Sequence, residues 1–126
     1  VIDPDPAETY GELINGIGTL GLAYLHVVRG QAWGVDGLSL ARKFFRGPLI
    51  ANDGFDLASA SQALGGDLAG AVSFGRHFIS NPDLVHRFRE QLPLAPFDRR
   101  TLYTPGPRGY VDYPTAGMPQ PESSRT

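Results

Sequence analysis

A chain of 126 residues with 41% apolar content can bury one ordinary core, but it falls short of the roughly 200 residues that a closed eight-unit βα barrel needs. Its 11 basic and 13 acidic residues are interspersed and leave a net charge of −2, so no basic field is available to hold a nucleic-acid backbone. Cysteine is absent, which excludes disulfide and thiolate chemistry within these residues and fits a cytoplasmic chain, and no apolar run approaches the roughly 18 residues of a membrane span.

The sequence opens at Val1, and Asp3-Pro4-Asp5-Pro6 reads as a loop entering a helix, so the expectation is a fragment, a processed chain or a shortened one. From Pro6 to Leu20 the apolar residues Tyr10, Leu13, Ile14, Ile17 and Leu20 recur three or four apart, which predicts a helix with one buried stripe, capped by Asp5 and loosened at Gly18 and Gly21. Ala23 to Val28 is a short apolar run suited to a strand covered on both faces. Gly30 to Gly37 is loop-like, Leu38 to Phe45 predicts a second helix with Arg42 and Lys43 near its end, and Gly47-Pro48 breaks it.

Leu49-Ile50-Ala51 is the next strand, Asn52-Asp53-Gly54 a turn, and Asp56 to Leu64 a helix closed by Gly65-Gly66. Ala69 to Phe74 predicts a third strand, after which Gly75-Arg76 leads on and Asn81-Pro82-Asp83 caps a helix running to about Gln91. Three repeated αβ units imply parallel pairing through right-handed crossovers, in a doubly wound sheet or in a barrel, between which the pattern does not choose. The turn-rich remainder ends in a tail, residues 116–126, whose Pro, Ser and charged residues offer little to bury; flexibility or a partner-dependent conformation is expected there.

Ligands of parallel αβ folds sit at the carboxyl ends of the strands, where helix N-termini point their amides outward. Two such loops are well equipped. At Asn52, Asp53 and Gly54 small and turn-forming residues let backbone N–H groups approach an anion, and at Gly75 and Arg76 a glycine adjoins a guanidinium able to grip phosphate through two parallel hydrogen bonds. Either loop alone reads more readily as an ordinary strand-to-helix turn, with Gly54 and Gly75 serving backbone shape and Arg76 a surface ion pair; the two together, at one spacing, favour phosphate.

Other candidates divide the same way. His26, alone on an apolar strand, reads as a core histidine rather than a ligand, whereas Trp33 could wall a pocket or cover a barrel end. His77 and His86 show no metal-ligand spacing, so no metal site is expected. Tyr103, Tyr110 and Tyr113 lie among glycines and prolines in a segment that must pack on something to be ordered; Tyr110 and Tyr113 read as a clasp and Tyr103 as a residue able to face a ligand.

Ala23-Tyr24-Leu25-His26-Val27-Val28, Gly47-Pro48-Leu49-Ile50-Ala51-Asn52, Phe74-Gly75-Arg76 with Asn81-Pro82-Asp83-Leu84-Val85, and Gly109-Tyr110-Val111-Asp112-Tyr113-Pro114 together resemble the C-terminal part of Old Yellow Enzyme-type ene reductases, over residues 3–115. The resemblance implies an α/β chain forming about strands 6–8 of a (βα)8 TIM-type barrel, and an FMN-dependent oxidoreductase that passes hydride from NADPH through the flavin to an electron-poor alkene. It implies that Asn52, Asp53, Gly54, Gly75 and Arg76 hold the FMN phosphate and that Tyr103 and Trp33 border the substrate. The sequence departs from the family pattern at Asp53, where a second glycine is common, at Arg29, where an acidic residue is common, and at Leu102, where an aromatic is common.

The family's donors to the substrate carbonyl and its tyrosine proton donor lie upstream of this region, so no catalytic residue is expected in this chain. Three units alone would leave unpaired strand edges, and the expected partner is a complementary N-terminal barrel segment or chain, without which the isolated chain should be inactive. The alternative is a non-catalytic half-barrel that self-associates and binds at most a phosphate-bearing ligand. A sugar-phosphate-binding barrel fragment of another family is a third reading, which leaves the tyrosine-rich segment unexplained.

Overall fold

The computed structural model describes residues 3–30 and 34–118, which fall into two compact units, Val1–Ser73 and Phe74–Thr126. The first unit opens with α1 (Pro6–Ile17), which starts where the carboxylate of Asp5 accepts the Glu8 N–H at 3.0 Å and Pro6 presets the first helical φ. The helix is shorter than its apolar period predicts. Gly18 closes it by donating to the Ile14 carbonyl at 2.9 Å, and Leu20 beyond is 68% exposed. The buried stripe is narrower too, since Ile14 is buried while Tyr10 and Leu13 are exposed.

Strands β1 (Leu25–Val28), β2 (Leu49–Asn52) and β3 (Ala71–Ser73) form a parallel sheet in that order, with Leu25 opposite Leu49 and Ile50 opposite Ala71. Parallel pairing is the arrangement that the αβ alternation implied. The outer strands are shorter than expected and β2 is longer by Asn52. Ala69 is buried without being a strand residue, because its N–H still turns back to the Ala63 carbonyl at 3.3 Å, and pairing starts only with the Gly70 N–H on the Leu49 carbonyl at 2.9 Å.

Helices α2 (Gly37–Phe44) and α3 (Leu57–Gly65) complete the unit. The α2 cap is Asp36, which accepts from the Leu38 and Ser39 N–H groups and from the Ser39 hydroxyl at 2.7 Å; chiefly that hydroxyl holds the Asp36 carboxyl below its usual range. In α3, Asp56 and Ser59 form a reciprocal capping box. The core gathers on one face of the sheet, where Leu49 and Ala51 of β2 meet a layer that includes Leu38, Ala41 and Phe45, all nearly inaccessible to solvent.

Side chains alternate along a strand, so His26, Val28, Ile50, Asn52, Ala71 and Ser73 share the opposite face. That face is not covered in this unit: His26 and Val28 are exposed. The strands are therefore covered on one face, not on both. Beside β1 lies an apolar groove of about 410 Å³ whose walls include Tyr10, Leu13, Ile17, Val28, Val35 and Leu40.

The second unit holds α4 (Arg76–Ser80) and α5 (Leu84–Arg89). Helix α4 stands in a stretch to which the sequence pattern assigns no element; five residues are too few for a hydrophobic period to register. Asp83 stands at the N-cap position of α5 as expected, but its side chain makes no cap bond to the helix, and α5 ends at Arg89 rather than near Gln91. Asn81, fully buried, instead accepts the Ala95 N–H at 2.7 Å and donates to the carbonyls of His77 and Ala95. Arg87 of α5 donates to Asp83 at 2.7 Å and to the carbonyls of Pro93 and Pro114, and the second Asp83 oxygen accepts the Ala116 N–H at 2.7 Å. Polar side chains thus hold together a segment with few regular elements, which is how buried backbone groups outside helices and strands become satisfied.

Candidate functional site

Asn52, the last residue of β2, is fixed from both sides of the chain. Its carbonyl accepts the Arg29 N–H at 3.1 Å, and its side-chain nitrogen donates to the carbonyl and hydroxyl of Ser73 at 3.1 and 2.8 Å. The next two residues turn left-handed, Asp53 at φ 76° and Gly54 at φ 73°. Both are exposed, and a side chain built on Gly54 would meet nothing within 4 Å. Two successive left-handed residues at an exposed turn are the backbone geometry from which anion-binding loops are built.

The left-handed φ of Asp53 accounts for the glycine common there, because only glycine adopts it without strain; Asp is among the side chains that tolerate it best. Arg29 also has a local role. Its guanidinium lies over the Phe55 ring, 4.8 Å from the centroid, and its charge contributes to lowering the pKa of Asp36.

In the second unit Gly75 stands at the N-terminus of α4, and its carbonyl accepts from the N–H groups of Phe78 and Ile79. Nothing lies within 4 Å of where a Gly75 side chain would project, and Gly75 and Arg76 are both exposed. The Arg76 guanidinium lies over Phe97, 5.5 Å from the ring centroid, with Arg99 at 5.7 Å from the same ring. An aromatic support of this kind restricts a long side chain and leaves its N–H groups directed by the ring plane.

The Tyr103 ring is 89% exposed, on a residue with φ 63° whose N–H donates to the Tyr110 hydroxyl at 2.6 Å. Tyr113 similarly accepts the Asp98 N–H at 2.8 Å, so both phenols tie down the segment that carries Tyr103. Gly109, at φ 79°, is required on the spot, since a Cβ there would run into Thr101. Trp33 lies outside the described residues.

Within the first unit the structure brings Asn52, Asp53 and Gly54 into one turn; within the second it sets Gly75 and Arg76 at the start of one helix, with Tyr103 on a separate loop. Sequence reasoning missed two partners of the first turn. Ser73 binds Asn52, and His26 lies 2.8 Å from the same Ser73 hydroxyl. His26 is thus a polar residue of the open face and not a core histidine. The period-two alternation within each strand was legible, but placing His26, Asn52 and Ser73 on one side of the sheet takes the register of the three strands. Among the described residues no three His, Asp or Glu side chains gather, and no helix is long and apolar enough to cross a membrane.

No family profile matches the chain, but individual proteins do. It is 40% identical over 103 residues to a 12-oxophytodienoate reductase-like protein of Solanum lycopersicum, an alignment covering 81% of this chain and 29% of that protein. It is 38% identical over 121 residues to a chanoclavine-I aldehyde reductase of Penicillium roqueforti, covering 86% of this chain and 33% of that one. Among solved structures, the old yellow enzyme of Trypanosoma cruzi superposes with a TM-score of 0.83 at 37% identity, and morphinone reductase in complex with tetrahydroNAD with a TM-score of 0.78 at 36%; each alignment covers 90% of this chain and 31% of the other. The chain spans about a third of the length of the relatives it matches. Its parallel sheet and helices correspond to a part of their barrel, and the chain belongs to the Old Yellow Enzyme family.

Proposed function

We propose that this chain is the phosphate-binding end of an FMN-dependent ene reductase, forming about the sixth to eighth strands of its barrel. The observation that carries the reading is the exposed left-handed pair Asp53 and Gly54 directly after a β2 that ends in a doubly anchored Asn52. These residues fit a phosphate: the turn is exposed and neither Gly54 nor Gly75 has a neighbour where a side chain would stand. Asn52, Asp53 and Gly54 would offer backbone donors, and Gly75 with Arg76 an amide and a guanidinium. FMN held there would supply the chemistry of hydride transfer between NADPH and an electron-poor alkene.

In this reading Tyr103, held at its backbone by Tyr110, and Trp33 border the alkene. A relative solved with tetrahydroNAD supports a nicotinamide as the reductant. The partner is the rest of the barrel, on the same or another polypeptide, and the open apolar groove beside β1 with Tyr10, Leu13 and Val28 exposed supports the need for one. The cysteine-free composition suits the cytoplasm.

The test is Arg76→Ala in the flavin-binding assembly, with FMN and phosphate-free riboflavin compared by fluorescence quenching. Loss of one charge-assisted pair, about 1.5 to 3 kcal/mol, should weaken FMN roughly tenfold or more and leave riboflavin unchanged. Equal affinity of the unsubstituted protein for FMN and riboflavin would rule the phosphate site out.

A further inference from the structure

We propose that Ser73 is a positioning residue for the Asp53–Gly54 turn, its hydroxyl tying three strands together at the carboxyl end of the sheet; the inference rests on the reading of that turn as a phosphate site. Ser73 ends β3 and stands opposite Asn52 in the ladder. Asn52 directs its side-chain nitrogen at both the Ser73 carbonyl, 3.1 Å away, and the Ser73 hydroxyl, 2.8 Å away. From β1, His26 Nε2 reaches the same hydroxyl at 2.8 Å.

A serine hydroxyl has one proton and two acceptor positions. With Asn52 filling one acceptor position, the hydroxyl proton is available to Nε2 of a neutral His26, and a protonated His26 would fill the second acceptor position instead. The tie therefore holds in either state of the histidine. The Ala51 carbonyl, at 3.4 Å, takes at most a weak share of the same proton.

The consequence falls on the next residue. Asp53 sits at φ 76°, a region that an L-residue leaves when its flanks are loose, and its N–H swings away with it. Strand ends are where pairing normally loosens. Here the end of β2 is held by its side chain as well as its main chain, and through Ser73 and His26 it is held to both neighbouring strands. That fixes where the Asp53 and Gly54 amides point before any ligand arrives, which is how a site avoids ordering itself at the expense of affinity.

The test compares FMN and riboflavin affinities for Ser73→Ala and Ser73→Thr in the flavin-binding assembly, with circular dichroism as the check on folding. Ser73→Ala should weaken FMN about tenfold and leave riboflavin unchanged, while Ser73→Thr, which keeps the hydroxyl, should restore FMN binding. If Ser73→Ala fails to fold, His26→Ala on the exposed strand face removes one of the three ties and should lower FMN affinity a few-fold with riboflavin unaffected. Unchanged FMN affinity in a folded variant, or an equal loss of FMN and riboflavin, overturns the positioning role and leaves the phosphate site standing. Equal affinity of the unsubstituted protein for the two flavins overturns both.

Discussion

Arg87 donates its Nε–H to Asp83 across one helical turn at 2.7 Å, and the other oxygen of that carboxylate accepts the N–H of Ala116, 33 residues along the chain. The carboxylate therefore makes no cap bond to α5 and instead joins distant stretches of the chain. Arg87 Nη1 and Nη2 donate to the carbonyls of Pro93 and Pro114, so one guanidinium gathers three separate stretches of a unit whose described residues hold two short helices.

Arg87→Ala should destabilise the second unit by about 2 to 4 kcal/mol, because it leaves a carboxylate and two carbonyls without their donor in a place where Arg87 itself is buried. Arg87→Lys should lose less, as one ammonium replaces only part of a planar fork. Urea unfolding followed by tyrosine fluorescence measures both, and equal stability of wild type and Arg87→Ala would contradict the account.

Acid should loosen the same unit. The Ala116 N–H, and after it Arg87, hold the Asp83 carboxyl below its usual range, and the Arg100 guanidinium does the same for Asp98. A folded-state value below the unfolded one means that this stability is present above the unfolded value of about 3.9 and is lost as pH falls through the folded value. Unfolding midpoints measured between pH 6 and pH 2, values chosen to bracket about 3.9, should drop toward the acid end, and Asp83→Asn should flatten that drop. An identical acid profile in the variant would show that Asp83 contributes nothing to it.

Gly109→Ala should cost about 2 kcal/mol or more, since it adds a left-handed strain to a collision with Thr101. Pairing it with Thr101→Ala should recover only the steric part. Thermal melting of the two variants separates the contributions.

Asp53→Gly should tighten FMN binding severalfold while changing stability by less than about 1 kcal/mol. Relief of the left-handed strain is opposed by the greater freedom of glycine in the unfolded chain, and these effects are each about 1 kcal/mol. The carboxylate beside a phosphate has no such offset. Unchanged or weaker FMN binding would place the phosphate away from this turn.

Local signals made much of the fold legible. Asp5 with Pro6 was readable as a cap from a few neighbouring residues, and Asn52-Asp53-Gly54 as a turn because glycine and short polar side chains suit left-handed conformations, whereas Asp56 reads as the first residue of its helix and is its cap. What escaped was set by distant partners. Asn81 and Asp83 have the chemistry of helix caps, and nothing local says that they bond to Ala95 and Ala116 instead. Asp36 was overlooked as a cap because Gly37, a poor helix former, follows it. The roles of Ser73 and His26 needed the register of three strands, which no single segment of sequence contains.

The visible absorbance and native mass of the purified protein test the central claim most directly. The account predicts a yellow sample that releases FMN on denaturation, with a native mass above the 13.6 kDa of these residues by the amount of the remaining barrel. A colourless protein of these 126 residues that folds cooperatively as a monomer would contradict it.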